Sequence, residues 1–404
     1  MVKDGSDGKR GLRNEAQWRQ RSGGCELKQD SEIDTGGYVM HVGMSVIFQN
    51  PGEQIPDKAV YERDLHLALQ AEALGFQSIW SVEHHFTDYT MCPDVFQFLT
   101  YMAAKTEHVQ LGSMVCVLPW HDPVRVAEQI SMLDNLSNGR VILGMGRGTG
   151  RVEFDGFGVD MGTARLRFKE SAEIVLTALE QGWIEYSGDL LHQERRDIRP
   201  RPISSFKGRT YAAAISPDSA RIMAEMGVGI LVVPQKPWKA VRQELQEYRT
   251  IFRDANGTEP PPPFVAGWTF VDESADRAET MARKYVGGYW DSVVKHYEFN
   301  EPHLKDTPGY EHHGLMYDRL VAPGGYQQME DFFIDLQLWG TPEQVTEKIV
   351  NLQDEMYMDG YMGVFSYAGM SLEEAERSMH LFAAQVMPEL QALPAVHDRL
   401  GIPA

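Results

Sequence analysis

The chain has few cysteines, no excess of basic charge and no long apolar run. Only Cys25, Cys92 and Cys116 are present among 404 residues, too few and too scattered for a disulfide framework or a thiolate metal site. Lys and Arg number 38 against 58 Asp and Glu, a formal net charge of −20, whereas nucleic acids and anionic membranes attract basic patches. No apolar run approaches the roughly 18 residues that a membrane-spanning helix needs. We therefore expect no nucleic acid and no membrane as partners, and a reducing cytoplasm as the setting.

The first 38 residues differ from the rest of the chain. They are polar and Gly-rich, with acidic and basic side chains in balance and almost no regular spacing of apolar residues. They lack the apolar core of a signal peptide and are too acidic for a typical organellar transit sequence. We expect residues 1–38 to be a disordered extension or a misassigned start, and residues 39–395 to form one domain.

From Tyr38 onwards, short apolar runs alternate with longer amphipathic stretches. This is the pattern of β-α units around a parallel sheet. Eight apolar runs predict strands at residues 39–48, 76–82, 109–118, 141–146, 209–215, 228–233, 264–271 and 360–367. The stretches between them predict helices such as 61–74 and 123–136. The pattern favours a (β/α)8 TIM barrel of the α/β class over a doubly wound sheet.

One region interrupts this alternation. Residues 297–328 are rich in Gly, Pro, His and aromatic residues and show little period. A structureless stretch of this length inside a compact domain is usually a lid or is disordered. We expect an irregular insertion, or lid, after strand seven.

Titratable side chains follow the second predicted strand where it should end. Glu83, His84, His85 and Phe86 come directly after an apolar segment, and the carboxyl ends of strands are where barrel enzymes hold their sites. A metal site is not expected, because there is no HExxH motif and no third ligand at a recognisable spacing. Packed histidines and an acid/base group are the two readings of the pair. Trp120, after strand three, could line a planar ligand or pack at the rim.

A candidate anion site lies at the end of strand five. Ser216 stands as a helix N-cap, Pro217 as the first helical residue and Ser219 one turn in, and a helix start offers N–H groups and hydroxyls to a phosphate. Arg147, in the glycine-rich run after strand four, adds a positive charge. An ordinary capped helix would explain Ser216 equally well. The glycine run is not a dinucleotide fingerprint, because no acidic residue follows at the expected distance and the segment should continue into a loop.

Five motifs stand between Met40 and Leu390: WSVEHHFTDY, LGSMVCVLPWHDPVRVAEQISMLDNLSNGRVILGMGRG, FGVDMGTAR, GTPEQV and HLFAAQVMPEL. In this order and spacing they resemble the bacterial luciferase-like flavin monooxygenases, and most of all the luciferase α subunit. The resemblance implies that reduced FMN binds at the barrel mouth and reacts with O2. The resulting flavin C4a-hydroperoxide would oxygenate a small organic substrate.

The resemblance also implies roles for individual residues. His84 matches a histidine that acts as an acid/base and stabilises the hydroperoxide. A second set matches residues around the flavin: Arg147, Ser216 and Ser219 at the phosphate, Arg165 near it, and Met114 and Val115 as a non-proline cis peptide under the isoalloxazine ring. Residues from about 300 to 325 match the mobile lid.

Two positions depart from luciferase α. Gly146 stands where that subunit has a reactive cysteine, and Ile215 where it has a glutamate beside the phosphate, although the Ile215 backbone N–H would remain available. These changes put light emission and a long-chain aldehyde substrate in doubt. Candidates for the substrate wall are Glu83, Phe86, Trp120 and Trp238.

The sequence therefore predicts a two-component monooxygenase with FMN as cofactor, O2 as co-substrate, a separate flavin reductase as partner and a homodimeric assembly. Two alternatives stay open. One is a flavin- or deazaflavin-dependent hydride-transfer enzyme on the same fold. The other is a non-catalytic flavin-binding subunit that resembles luciferase β, although His84 and Arg147 argue against it.

Overall fold

The computed structural model describes residues 40–213, 217–394 and 396. The predicted extension at 1–38, and the predicted site residues Ile215 and Ser216, lie outside the described residues. The described strands are β1 (His41–Val46), β2 (Ser78–Ser81), β3 (Gln110–Ser113), β4 (Cys116–Val117), β5 (Val141–Gly146), β6 (Trp183–Ser187), β7 (His192–Asp197), β8 (Thr210–Ala213), β9 (Gly229–Val232), β10 (Phe264–Val271), β11 (Leu338–Gly340) and β12 (Gly360–Val364).

Eight of these strands form a closed parallel barrel. Their order is β1, β2, β3, β5, β8, β9, β10 and β12, and β12 pairs with β1 to close it, with Val364 opposite Ser45. The strands are largely buried because helices cover the outside and side chains fill the inside; β10, for example, is buried at all 8 of its residues. The predicted (β/α)8 barrel is confirmed.

Helices follow the strands and form the outer layer. The described α-helices are α1 (Asp57–Leu74), α2 (Val95–Ala103), α3 (Pro123–Leu136), α4 (Arg151–Phe157), α5 (Ala164–Gln181), α6 (Pro217–Glu225), α7 (Trp238–Asn256), α8 (Ala275–His296), α9 (His303–Asp306), α10 (Glu311–Leu320), α11 (Gly325–Leu336), α12 (Pro342–Met356), α13 (Leu372–Gln385) and α14 (Met387–Gln391). Among the described residues, no helix combines the length and apolar character needed to cross a membrane.

Aromatic side chains fill the barrel interior below its mouth. The Trp80 indole lies across Gly112, where a Cβ atom would come within 2.2 Å of the ring, and its Nε1–H donates to the Ser78 hydroxyl at 2.7 Å. Tyr211 and Phe264 pack beside it in the same buried cluster. This packing fills the centre of the barrel, as is usual for the fold.

Two local predictions were wrong, and one stretch without a prediction forms a hairpin. The single strand predicted at 109–118 is divided into β3 and β4 at Met114 and Val115. The polar stretch after α5 contains an antiparallel hairpin of β6 and β7, whose charged second strand conceals the period-2 pattern. The glycine run is followed not by a loop but by α4, which begins at Arg151 and buries Phe154.

The insertion after strand seven is also more regular than predicted. It contains α9 and α10, and it passes into α11 at Gly325. Few of its side chains are buried, chiefly Leu304, Tyr310 and Leu320, so the sequence shows no clear apolar period there. Its behaviour as a lid stays a prediction.

Candidate active site

A cavity of about 190 Å³ lies at the carboxyl ends of the barrel strands. Seven barrel strands contribute a lining residue at or just beyond their ends, namely Ile47, Val82, Met114, Gly146, Ala213, Val233 and Val364. The eighth, β10, contributes Trp268 from within the strand. The α8 helix and the insertion complete the wall with Tyr289, Trp290, Tyr297, Phe299, His313 and Met316. The site is therefore where parallel barrels place their chemistry.

His84 enters the cavity wall directly after β2 and is backed by a buried carboxylate. Its Nδ1 lies 2.9 Å from Oε1 of Glu153, in the first turn of α4. The same oxygen accepts the His85 backbone N–H at 2.9 Å. Burial alone would raise the pKa of Glu153, but the positive charge of His84 and the His296 imidazole, 3.5 Å away, outweigh burial and lower that pKa to about 2. Glu153 is thus an anion that holds and orients His84.

The other ring nitrogen of His84 meets the start of the insertion. The Tyr297 hydroxyl lies 3.3 Å from His84 Nε2. Because Nδ1 faces a carboxylate, Nδ1 carries the hydrogen in the neutral imidazole, and Nε2 accepts a hydrogen bond from the phenol. We call His84, Glu153 and Tyr297 the His84 group.

Glu83 and His85 form a separate network beside the His84 group. The buried Glu83 carboxylate accepts the Val117 backbone N–H at 2.8 Å and lies 3.0 Å from Nε2 of His85 and 2.6 Å from Nε2 of His121. Burial would raise the pKa of Glu83, but the hydrogen bonds from His121 and His85 outweigh burial and lower it. Glu83 therefore holds β4 in place through the Val117 N–H.

Arg147 lies in another part of the cavity wall, after β5. Its guanidinium donates from Nη1 to the Gly309 carbonyl at 2.8 Å and lies 4.0 Å from the centre of the Tyr310 ring. Burial lowers the pKa of Arg147. Among the described residues, no carboxylate comes within 4.0 Å of this guanidinium. It is a largely buried cation whose direct partners, within the part of the chain that the structure describes, are a neutral carbonyl and an aromatic face.

Arg165 reaches the same carbonyl. It donates from Nη2 to Gly309 at 3.3 Å and pairs through Nη1 with Asp218 at 3.0 Å. We call Arg147, Arg165, Gly309 and Tyr310 the Arg147 group. Ser219, in the first turn of α6, lines the same cavity as both arginines. The structure therefore brings together Arg147, Arg165 and Ser219, the described residues that the sequence placed at or near the phosphate.

Met114 and Val115 border the cavity, and the peptide bond between them is cis. Gly146, on β5, faces this segment: a Cβ atom there would lie 2.2 Å from Val115 Cγ2. A Cβ atom on Gly148 would likewise lie 2.8 Å from the Trp120 ring. The glycines of the run after strand four thus allow Val115 and Trp120 to approach the strand closely.

The four candidate substrate residues lie in different places. Glu83 and Trp120 line the cavity. Phe86 does not: its side chain is 61% exposed and packs against Phe157. Trp238 begins α7 and is half-buried outside the lining of this cavity. The structure gives Phe86 and Trp238 no place in the cavity wall.

A family model described as luciferase-like monooxygenase matches residues 40–357 of the chain. The chain belongs to this family.

Two luciferase-like relatives show the extent of the likeness. The alkanal monooxygenase alpha chain of Photobacterium leiognathi is 26% identical over 351 residues, which make up 85% of this chain and 97% of that protein. The oxygenase component of the flavin-dependent trigonelline monooxygenase of Acinetobacter baylyi is 24% identical over 364 residues, 86% of this chain and 95% of that one.

Solved structures agree with the luciferase-like fold. The crystal structure of monooxygenase RslO1 from Streptomyces bottropensis has a TM-score of 0.74 and 25% identity, and the match covers 87% of this chain and 99% of that one. The same fold occurs in a coenzyme F420 dependent reductase, at a TM-score of 0.61 and 20% identity. At 20% identity, the similarity to this reductase shows only that the fold is shared.

Sequence reasoning missed two residues that the luciferase-like fold brings into contact with His84. Glu153 was assigned to a loop, and Tyr297 stood at the edge of a region without period. Both contact His84 from positions far away in sequence. The sequence signal for Glu153 was weak, because it consisted only of an acidic residue shortly after a glycine run.

Side chains of the types that can bind a metal ion also come together in two groups. Each group brings three such atoms within 4.8 Å of one another: His84, Glu153 and His296 in one, and Glu83, Cys116 and His121 in the other. The hydrogen bonds of His84 and Glu83 given above account for the closest of these approaches. We therefore describe both groups as hydrogen-bonded networks.

Proposed function

We propose that this protein is the oxygenase component of a two-component flavin monooxygenase. It would use reduced FMN and O2 to oxygenate a small organic substrate. One oxygen atom would enter the substrate and the other would leave as water, with two electrons from the flavin. The observation that carries the proposal is that a single cavity holds both a largely buried guanidinium, with no carboxylate partner among the described residues, and a carboxylate-backed imidazole.

The Arg147 group fits a phosphate. A buried cation is costly unless an anion or strong acceptor neutralises it, and a phosphate would give Arg147 and Arg165 stronger, charge-assisted hydrogen bonds than the Gly309 carbonyl does. Ser219 would add a hydroxyl and the start of α6 a favourable dipole. These residues would bind the phosphate of FMN, with Met114 and Val115 beside its ring system.

The His84 group fits proton transfer. Glu153 keeps the hydrogen on Nδ1 of His84 and would stabilise the imidazolium once Nε2 takes up a proton. The wall around it is largely aromatic, from Tyr89, Trp268, Tyr289, Trp290 and Phe333, and such a wall excludes water from the reacting groups. Reduced FMN, when bound, would supply the electrons that activate O2.

Known relatives support the two-component arrangement. The trigonelline enzyme of Acinetobacter baylyi is named as an oxygenase component, which is why we propose that a separate reductase supplies reduced FMN here. The homodimer and the cytoplasmic setting remain predictions. Size-exclusion chromatography with light scattering would test the first, and cell fractionation the second.

The proposal is tested by anaerobic binding followed by exposure to oxygen. We expect reduced FMN to bind more tightly than reduced riboflavin, because only FMN carries the phosphate for Arg147. With a flavin reductase and NADH, bound reduced FMN should consume O2 and release H2O2 more slowly than free reduced FMN does.

Each alternative predicts a different result in the same experiment. Tight binding of a reduced deazaflavin, with no O2 consumption, would indicate a hydride-transfer enzyme. FMN binding that leaves the oxygen reaction of the flavin unchanged would indicate a non-catalytic flavin-binding subunit. Either result would overturn the monooxygenase proposal.

A further inference from the structure

Tyr297 lies in the cavity wall against His84, the proposed acid/base. It follows the last residue of α8 and is the first residue of the insertion. Its side chain lines the cavity together with His84, and its hydroxyl lies 3.3 Å from His84 Nε2. The nitrogen that would exchange protons with a bound ligand is therefore already in contact with a phenol.

Both ring nitrogens of His84 have partners. Nδ1 faces Glu153 at 2.9 Å, and Nε2 faces Tyr297. Since the carboxylate keeps the hydrogen on Nδ1, Nε2 is the basic nitrogen and the phenol is its donor. A ligand in the cavity can exchange a proton with Nε2 by displacing the phenol or by passing the proton through it.

Displacement is opposed by the packing of the Tyr297 ring. The ring lies edge-on to His296 at a centroid distance of 4.8 Å and to Tyr89 at 5.6 Å, and it stacks on Phe299 at 5.4 Å. These contacts hold its orientation from three directions. Burial also raises the pKa of Tyr297 well above its usual value, so the hydroxyl keeps its hydrogen near neutral pH and can act only by simultaneous acceptance and donation.

We propose that Tyr297 is the proton-relay residue of this site, an inference that rests on the proposed function. A proton leaving the bound ligand forms a bond to the Tyr297 oxygen while the hydrogen already on that oxygen moves to Nε2 of His84. The phenol is unchanged at the end of the step, and the imidazolium formed is stabilised by Glu153. The reverse transfer returns the proton to the ligand.

The relay also connects the chemistry to the insertion. Because Tyr297 is the first residue of the insertion, a change in its conformation would open or close the path to His84. A closed insertion would complete the relay, as lid closure completes other catalytic sites.

Tyr297→Phe tests the relay because it removes only the hydroxyl and keeps the ring that packs against Tyr89, His296 and Phe299. Tyr248→Phe is the matched control: it removes a buried hydroxyl on α7, outside the lining of this cavity, which donates to the Val228 carbonyl at 2.7 Å. We expect Tyr297→Phe to lower product formation with reduced FMN by about 10²-fold. Reduced-FMN affinity should stay within a few-fold of wild type, and thermal stability should match that of Tyr248→Phe.

A double-mutant cycle distinguishes the relay from an independent effect. If Tyr297 acts through His84, Tyr297→Phe should add no further loss in the His84→Ala background. Additive losses would overturn the relay, and so would unchanged product formation in the single variant.

A spectroscopic measurement on flavin-free protein tests the hydrogen bond by itself. In ¹⁵N-histidine-labelled protein, the Nε2 resonance of His84 should shift in Tyr297→Phe and stay unchanged in Tyr248→Phe. An unchanged resonance in Tyr297→Phe would overturn the relay. A shifted resonance in a protein that shows no O2 consumption with reduced FMN would instead show that the hydrogen bond exists and that the proposed function has failed.

Discussion

The His84 group and the Arg147 group satisfy their charges in different ways. His84 is backed by the Glu153 carboxylate, so its positive form has a counter-ion supplied by the protein. Arg147 is always charged, yet its nearest partners are a carbonyl and an aromatic ring. The first group can gain and lose a proton without rearrangement, whereas the second is fully neutralised only when an anion arrives. The difference supports the proposal that the first group takes part in the chemistry and the second binds the phosphate.

His84→Ala should have the largest effect, because it removes the proton acceptor of the His84 group. We expect product formation to fall by about 10²–10⁴-fold, with O2 diverted to H2O2. Reduced-FMN affinity should stay within a few-fold of wild type, since the phosphate contacts remain. The measurement is product and H2O2 formed per O2 consumed, together with anaerobic titration of reduced FMN.

His85→Ala is the control for this variant. The His85 side chain bonds to Glu83 rather than to Glu153, so its loss should lower thermal stability and leave the coupling of O2 to product intact. If His85→Ala abolished product formation and His84→Ala did not, the assignment of roles within the pair would be wrong.

Arg147→Ala should have the next largest effect, this time on binding. Loss of a charge-assisted contact to phosphate costs about 1.5–3 kcal/mol, or roughly one to two decades of affinity for reduced FMN. Reduced riboflavin should bind wild type and variant almost equally. Arg125→Ala removes an exposed arginine that pairs with Glu128 on α3, and it should change neither affinity. An equal loss for FMN and riboflavin would contradict the phosphate assignment.

The pH dependence of stability tests the Glu153 counter-ion. Its folded pKa of about 2 lies below the ordinary value of 4.5. Its contribution to the free energy of unfolding is therefore fully present above pH 4.5 and is lost as pH falls towards 2. That contribution is on the order of 3 kcal/mol. Urea unfolding should show a smaller loss of stability on acidification in Glu153→Gln than in wild type.

Glu62→Gln is the matched control for the acid titration. Glu62 forms an exposed ion pair with Lys58 on α1, and such pairs contribute little to stability. Its variant should follow the wild-type pH dependence. Identical pH dependence in all three proteins would mean that Glu153 is not held as an anion by its histidine neighbours.

The insertion should show the smallest effect, because it is already helical and is attached to Arg147 through Gly309. Limited proteolysis within residues 297–328 should slow by a few-fold when reduced FMN binds under anaerobic conditions. Tyr310→Leu removes the ring that faces Arg147 and the hydrogen bond from Tyr310 to the Gly148 carbonyl at 2.8 Å. Cleavage of the flavin-free protein should therefore be faster in this variant. Cleavage that is insensitive to reduced FMN would make the segment a surface insertion rather than a lid.

The barrel and one face of the site could be predicted from sequence for a simple reason. Parallel strands place their carboxyl ends at one rim, so residues that follow apolar runs, such as His84 and Arg147, are assigned to that rim from position alone. The order of the apolar runs also predicted the barrel, which the structure confirms.

The partners of these residues could not be predicted in the same way. Tyr297 meets His84 across 213 positions of sequence, and Glu153 meets it only because α4 begins immediately after the glycine run. Gly309 contributes a backbone carbonyl, which no side-chain pattern reveals. Contacts of this kind depend on how elements pack, and local sequence carries little information about them.

The crowding between Gly146 and Val115 has a consequence for how the family can diversify. A β-branched valine has few χ1 rotamers, and any side chain at position 146 would begin 2.2 Å from its methyl group. Exchange of this glycine for cysteine therefore requires a shifted or smaller residue at position 115.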